Sequence, residues 1–474
     1  MGGSFGENDT IAAISTAMNE AGIGIVRISG PRAVEAADAL FRAAKAGLRL
    51  KDVPTHTIHY GWVVEKDENI RIDEVLVSVM RAPRTFTAED TVEINCHGGI
   101  YPMKRVLARV LREGVRLARP GEFTSRAFLN GRIDLSEAEA VMDVIRSRSD
   151  LALENGIRQI GGALTRKVLP LRGKLLETLA QIEAQLDDPE NPETARLGER
   201  EQTAATVQEA LAQIGDLLRS AREGRFVREG VRCAIIGKPN AGKSSLLNRL
   251  TGEDRAIVTE YAGTTRDVLT ESVTLGGVCL LLTDTAGIRQ TDDPVEKIGV
   301  ERARAAVADA DLLLCVIDAA QEPDEDDMEI LSLTQGHRAL ILLNKNDLST
   351  VVDETGLREK MAQCGIETEA EVLTFSAKEG DGLEELTRRV QDMFFAGTIH
   401  TNAEVLVTNE RHAECLRRAA DSLRSVEESL ANGMAEDFLC IDLREAVTAL
   451  GEITGEETGE DLVNEIFSKF CMGK

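Results

Sequence analysis

The sequence predicts a multidomain α/β chain in three parts: a mixed α+β block at the N-terminus, an α-helical domain in two pieces, and an α/β domain inserted between them. Three observations predict it. Short β-like runs alternate with helical stretches over residues 1–132. Apolar residues then recur at spacings of three and four over 133–229, and do so again within 396–474. Between these two helical blocks, over 230–395, apolar runs are each followed by a short polar motif, the pattern of strands delivering functional loops. At 474 residues the chain is too long for one core, and about three domains are expected.

In the first block, Gly24 to Ile28, Val75 to Met80 and Thr91 to Ile94 read as strands, and Met103 to Glu113 as a helix. In the second, Leu153, Ile157, Ile160, Leu164, Val168, Leu171, Leu175, Leu179, Ile182 and Leu186 form an amphipathic stripe. Pro170 is expected to kink or split that helix, and Asp187-Asp188-Pro189-Glu190-Asn191-Pro192 to end it. Helical periodicity returns with Cys415, Leu416, Ala419, Leu423, Val426 and Leu430, then from Phe438 to Leu450. An ordinary bundle core is the simpler account of these stripes, with coiled-coil packing as the alternative.

The inserted domain carries the chemistry. Gly237-Lys238-Pro239-Asn240-Ala241-Gly242-Lys243-Ser244 is a full G-x-x-x-x-G-K-S/T loop, preceded by the apolar run Val231 to Ile236 and followed by the helix-like Ser245 to Leu250. Such a loop turns successive backbone N–H groups onto phosphates, and the new helix adds its positive end. Lys243 is placed to reach the β- and γ-phosphates and Ser244 to ligate Mg²⁺. Downstream, Leu280-Leu281-Leu282 ends in Asp284-Thr285-Ala286-Gly287, where Asp284 suits Mg²⁺ through water and the Gly287 N–H the γ-phosphate. The run Ala339 to Leu343 leads into Asn344-Lys345-Asn346-Asp347. A carboxylate such as Asp347 accepts from both N1–H and the 2-amino group of guanine, donors that adenine lacks. Ser376-Ala377-Lys378 follows a further strand and offers backbone donors to the guanine O6. All four motifs, in this order and each after a strand, predict a Ras-like P-loop domain that binds GTP.

Its catalytic details are less conventional. The position after D-T-A-G, where many GTPases carry a water-orienting Gln, is Ile288, and the nearest acidic candidates are Asp292, Asp293 and Glu296. Ala262-Gly263-Thr264-Thr265-Arg266-Asp267 stands where a first switch belongs, with Thr265 as the second Mg²⁺ ligand.

Composition narrows the partners. Eight cysteines show no C-x-x-C pair and no close Cys/His cluster, which argues for reduced thiols and against a disulfide framework or structural zinc. No apolar run approaches the length of a membrane span, and Met1-Gly2-Gly3-Ser4 lacks a signal pattern, so a cytoplasmic protein without membrane partners is expected. Net charge is −26 but uneven: residues 1–132 hold 18 Lys/Arg against 16 Asp/Glu, and the remainder 37 against 65. An acidic chain is a poor nonspecific nucleic-acid binder, so any RNA contact should use a local patch or a partner.

Several further stretches carry a resemblance. Thr10 to Thr16, Gly24 to Gly30, Ala118-Arg119-Pro120-Gly121-Glu122-Phe123-Thr124, Ala127 to Gly131, the loop with Asn240, and the segment Phe467-Ser468-Lys469-Phe470-Cys471-Met472-Gly473-Lys474 closely resemble the tRNA-modification GTPase family MnmE (TrmE). The likeness runs essentially end to end. It implies four segments: an N-terminal tetrahydrofolate-binding and dimerisation domain at 1–132, two halves of a helical domain at 133–229 and 396–474, and the GTPase domain at 230–395. It also implies a homodimer acting on tRNA with a flavin-dependent partner, MnmG (GidA). The pair would add an aminomethyl or carboxymethylaminomethyl group to C5 of the wobble uridine, with the one-carbon unit drawn from a tetrahydrofolate derivative.

Carried over residue by residue, the resemblance implies folate contacts at Arg27, Glu93, Arg132 and Lys474, with Arg132 standing where many relatives have Lys. A carboxylate suits the donor-rich pterin edge and basic groups the glutamate tail. Read alone, Arg27 and Glu93 suggest a surface or cross-strand ion pair. Cys471 is implied as a functional thiol, whereas Cys96 reads as structural and His97 as a local hydrogen-bonding residue. For hydrolysis, the family implies a potassium ion held by Asn240 and the loop Thr259-Glu260-Tyr261-Ala262-Gly263-Thr264, with Thr259, Tyr261 and Thr264 as ligands and Glu296 positioning water indirectly. A cation there stabilises charge on the departing γ-phosphoryl group. The nucleotide-contact set is then Asn240 to Ser245, Thr259, Thr264, Thr265, Asp284 to Gly287, Asn344, Lys345, Asp347 and Ser376 to Lys378. The GTPase motifs alone do not separate this chain from ribosome-assembly GTPases, and a folate enzyme merely regulated by GTP is a third reading.

Overall fold

The computed structural model describes residues 9–66, 70–187, 200–253, 271–283, 307–395 and 407–473. The chain divides into two compact units, one of residues 1–145, 156–211 and 415–474, the other of 146–155 and 212–414.

The first unit opens with strands β1 (Ile11–Ile14) and β2 (Ile23–Ser29), helix α1 (Ala33–Leu40), and strands β3 (Phe41–Ala43), β4 (Thr57–Val64), β5 (Arg71–Met80) and β6 (Thr91–His97). Helix α2 (Ile100–Leu111), strand β7 (Arg116–Leu117) and helix α3 (Glu122–Leu129) follow. The strands form one seven-stranded sheet in the order β3-β4-β5-β6-β2-β1-β7, antiparallel except where β7 runs parallel to β1. Alternation buries one face: Val26, Ile28, Val75, Val77, Val79, Val92 and Ile94 pack with Ala33, Ala37 and Leu40 of α1 and Met103, Val106 and Val110 of α2. Ile58, Tyr60 and Leu76 on the other face are exposed.

Helices then dominate: α4 (Leu135–Arg146), α5 (Asp150–Ile160), α6 (Thr165–Asp187) and α7 (Arg200–Glu229), with α12 (Glu410–Ala431), α13 (Glu436–Thr454) and α14 (Glu460–Ser468) beyond the second sheet. Within the first unit α6 packs along α13, and Leu135, Ala138 and Met142 share a core with Val463, Phe467 and Phe470. The helical domain is thus built from segments that lie far apart in sequence.

The expected break at Pro170 is not where the stripe divides. Helix α6 runs through Pro170, and the interruption falls at Gly161–Gly162. There Gly162 (φ +74°) takes a left-handed conformation, the Gly162 N–H donates to the Gln159 carbonyl, and the Ala163 N–H donates to that of Arg158. This paired closure ends α5 by satisfying its last carbonyls. Pro170 costs α6 one early hydrogen bond, and the packing of Val168, Leu171, Leu175, Leu179 and Ile182 holds the helix together.

The second unit contains strands β8 (Val231–Gly237), β9 (Glu271–Leu275), β10 (Val278–Thr283), β11 (Leu312–Asp318), β12 (Ala339–Asn344) and β13 (Glu371–Thr374), in the order β13-β12-β11-β8-β10-β9. All neighbours are parallel except β9 with β10. Helices α8 (Lys243–Glu253), α9 (Glu325–Ser332), α10 (Glu354–Gln363) and α11 (Leu383–Phe395) complete it among the described residues. Both faces of the central strands are covered, with Cys233 and Ile235 in one core and Ala234 and Ile236 in the other. That is why these strands read as unbroken apolar runs. The chain passes from β8 outward to β10 on one side and resumes at β11 on the other, so the strand order reverses at β8. In such sheets the crevice at the carboxyl ends of the strands beside the reversal is where ligands bind.

Candidate functional site

Three of the four expected motifs stand at that crevice. The loop 237–243 leaves β8, Asn344 ends β12 and Ser376 follows β13, while Asp318 ends β11. Asn344 is 2 % exposed and ties two loops together: its Nδ2 donates to the Ala241 carbonyl (2.7 Å) and its Oδ1 accepts from the Ala377 N–H (2.9 Å). Gly242 (φ +106°) lies so close that an added Cβ would sit 2.0 Å from Asn344 Nδ2. The Lys243 ammonium donates to the carbonyls of Gly237 and Lys238 at 2.7 Å each, and burial lowers its pKa. Ser244 and Ser245 open α8 and are exposed, as is Asn240, which adopts φ +63°.

The base-reading side is equally built. Asp347 accepts from the Ser376 hydroxyl at 2.7 Å, a bond that lowers its pKa and keeps it an anion. The Lys345 ammonium pairs with Asp318 at 2.6 Å, and Lys345 too has a left-handed backbone, φ +69°. Lys378 is exposed beside Glu379. Ala241, Gly242, Lys243, Asn344, Ala377 and the Asp347–Ser376 pair therefore form one connected cradle. Its turned loop, helix start and fixed carboxylate suit a nucleotide with a phosphate tail and a guanine-like donor edge. Thr259, Tyr261, Thr264, Thr265, Asp284, Thr285, Ala286, Gly287, Ile288, Asp292, Asp293, Glu296 and Lys474 lie outside the described residues. One contact was not anticipated. Lys238, inside the loop, pairs with Asp324 and with Asp327 (3.3 Å), the two carboxylates of the α9 capping box.

A second constellation lies in the first unit. Arg27 and Glu93 are direct partners across β2 and β6 and form a cross-strand ion pair at 2.8 Å, one of the two kinds of pairing their bare sequence reading allowed, with a partner it did not name. The Arg27 guanidinium also lies 5.7 Å from the Phe123 ring centre and 6.0 Å from that of Phe86. The Arg132 guanidinium is 5.2 Å from the same Phe86 ring and donates to the Phe86 carbonyl at 2.9 Å. Phe86 thus links two candidates that the sequence alone left separate. The Gly473 carbonyl lies 3.5 Å from Arg27 Nη1, which brings the segment containing the exposed Cys471 to the same locality. Cationic groups, one carboxylate and aromatic rings are a donor set that fits a flat, polar, anionic ligand such as a folate. Cys96 is buried, its thiol donating to the Gly24 carbonyl and pushed up to about 11 chiefly by burial. His97 hydrogen-bonds Asp73 at 2.6 Å, which raises its pKa.

Sequence reasoning missed the charge network under this site. Glu122, 5 % exposed, receives Arg116 (2.5 and 3.0 Å), Arg126 (3.3 Å) and the Arg119 N–H (2.7 Å). Arg126 also reaches Asp9 and Glu89, and Glu89 accepts from Ser29. The signal available was Glu122 just after Gly121 at a helix start, in a stretch already noted only for resemblance.

Comparisons with known proteins agree along the whole chain. Residues 10–132 match the family described as "GTP-binding protein TrmE N-terminus", and 135–471 the family described as "MnmE helical domain". The tRNA modification GTPase MnmE of Lachnoclostridium phytofermentans is 48 % identical over 468 residues, covering 99 % of this chain and 100 % of that protein. The protein of the same description from Enterococcus faecalis is 47 % identical over 471 residues, covering 99 % of each. Among solved structures, the G domain of the T. maritima FeoB iron transporter matches 34 % of this chain and 97 % of its own, at 25 % identity and a TM-score of 0.24. With nearly half of all positions identical from end to end, and family matches on both sides of residue 133, the chain belongs to the MnmE (TrmE) family of tRNA modification GTPases.

Proposed function

We propose that this protein is a potassium-stimulated GTPase that works with a flavin-dependent partner of the MnmG type. Together they install an aminomethyl or carboxymethylaminomethyl group at C5 of the wobble uridine of certain tRNAs, drawing the carbon from a tetrahydrofolate derivative. The work divides among residues 1–132 for folate and self-association, 133–229 and 396–474 for the helical domain, and 230–395 for GTP. One observation carries this reading: a chain that builds a guanine cradle also gathers Arg27, Glu93, Arg132, Phe86 and the Cys471 segment in its other unit. An RNA-assembly GTPase has no need of the second constellation.

Each residue has a physical task. The backbone of 240–245 and the Lys243 ammonium bind the phosphates, while Asp347, held by Ser376, selects guanine over adenine. Ser244 and Thr265 hold Mg²⁺. Asn240, with Thr259, Tyr261 and Thr264, holds K⁺, whose charge serves the phosphoryl transfer where Ile288 cannot orient water. Glu296 positions water indirectly. Arg27, Glu93, Arg132 and Lys474 orient the folate, which supplies the one-carbon unit when bound. Cys471 supplies a thiol beside it. Dimerisation of GTP-bound domains couples hydrolysis to that site, and the setting is the cytoplasm.

The test is mass spectrometry of tRNA nucleosides from cells lacking the protein, rescued with wild type or Cys471→Ser. Loss of the C5-modified wobble uridine, restored by wild type alone, is expected. An undiminished modification in the deletion strain overturns the reading and favours a ribosome-assembly factor.

A further inference from the structure

Residues 471–473 are held against the start of the chain. Helix α14 delivers Phe467 and Phe470 into a buried cluster with Leu135, Ala138 and Met142, the two rings 5.2 Å apart. Beyond that anchor, three main-chain contacts follow within three residues. The Gly121 N–H donates to the Cys471 carbonyl at 3.3 Å, and the Ser15 hydroxyl donates to the Gly473 carbonyl at 3.0 Å. Arg27 Nη1 approaches the same carbonyl at 3.5 Å.

Two glycines make this approach possible, one from each side. A Cβ on Gly121 (φ +67°) would meet the Phe467 carbonyl at 2.4 Å, and one on Gly473 (φ +90°) would meet the Ile14 carbonyl at 2.2 Å. Both backbones are in contact where no side chain fits. Cys471 and Met472 nevertheless stay exposed. The peptide is fixed on either side of a thiol left at the surface, which is the arrangement a positioned reactive group needs.

We propose that Ser15 and Gly121 are positioning residues: they clasp 471–473, whose Gly473 carbonyl meets Arg27, and thereby fix where the Cys471 thiol stands. This rests on the reading of Cys471 given above. Removing one such hydrogen bond shifts the balance between docked and released tail by about 5-fold. Trypsin can cut after the exposed Lys469 only when Phe470 and the clasped residues lift together, so weakening the clasp raises the population that is cut.

The experiment compares wild type, Ser15→Ala and Ser15→Thr as full chains under limited trypsin, following cleavage after Lys469 against cleavage after the exposed Lys378 of the other unit. The Ala variant should be cut about 5-fold faster at Lys469 and equally at Lys378. Its wobble-uridine modification in cells should fall, and Thr, which keeps the hydroxyl, should restore both. Unchanged cleavage at Lys469 in the Ala variant overturns the clasp. Faster cleavage with undiminished modification overturns its positioning role. Failure of the underlying reading has a different signature: Cys471→Ser keeping full modification, whatever the protease result.

Discussion

Replacing Asn344 by alanine should loosen the nucleotide cradle by cutting the side chain that joins its phosphate loop to its base loop. The Asn344 side chain is nearly sealed and makes two good bonds, to the Ala241 carbonyl (2.7 Å) and from the Ala377 N–H (2.9 Å). Ala241 and Ala377 are 3 % and 5 % exposed, so neither abandoned group finds bulk water. Each unmade buried bond costs about 1–3 kcal/mol, and some relaxation places the pair near 3 kcal/mol. If the two loops must be re-ordered by the ligand, that energy appears as affinity, a loss on the order of 10²-fold. Fluorescence titration of the full-length protein with labelled GDP reads it directly. Calorimetry should show the transition of the second unit falling by about 6–12 °C, at about 2–4 °C per kcal/mol for a module of this size. A dissociation constant within about 3-fold of wild type, with a transition moved by less than about 1 °C, would refute the idea that Asn344 couples the phosphate and base loops.

Two further outcomes are expected. Asn240→Ala should abolish potassium stimulation of GTP hydrolysis, a loss on the order of 10²-fold, while leaving GTP affinity nearly intact; equal wild-type rates in potassium and sodium would end that assignment. Glu122→Gln should destabilise the first unit by about 1.5 kcal/mol, because Arg116 and Arg126 each lose one charge-assisted partner while keeping Asp9. Burial alone would raise the Glu122 pKa, but the Arg116 hydrogen bond, the Arg119 N–H and the charges of Arg116 and Arg126 outweigh it and lower it. The folded pKa therefore lies below the unfolded one. The stabilisation is complete above about pH 4.3 and is lost as the pH falls through the lowered folded value. Melting curves of wild type and variant should converge over that acid range, and a constant gap down to pH 3 would contradict the argument.

Much of the second unit was legible in the sequence because its strands are buried on both faces and its loops are punctuated by motifs. Each apolar run ended within a residue or two of where the chain turns to Lys243, Asn344 or Ser376. The first unit was harder. Its strands were readable one at a time, but the sheet order and the pairing of Arg27 with Glu93 depend on register between strands 66 positions apart. Phe86 carries no motif, and its meaning comes only from two guanidinium groups arriving from elsewhere. The misplaced break shows how propensity yields to packing. Pro170 was expected to kink or split the helix and does not split it; a glycine pair closes α5 instead, and buried contacts carry α6 through Pro170. The pairing of Lys238 with the α9 cap was invisible because nothing in a phosphate loop announces which later helix will lie beside it.

The contact between Ser15 and Gly473 joins residues 458 positions apart. A chain emerging from the ribosome at about 5–20 residues per second has completed its first sheet and its GTP-binding unit well before Gly473 is made. Every product that stops short of that residue can fold both sheets and still lack the closing piece at Arg27. The order of synthesis thus becomes an order of assembly: the strands that carry Ser15 and Arg27 are made first, and the segment that meets them arrives after both sheets are complete.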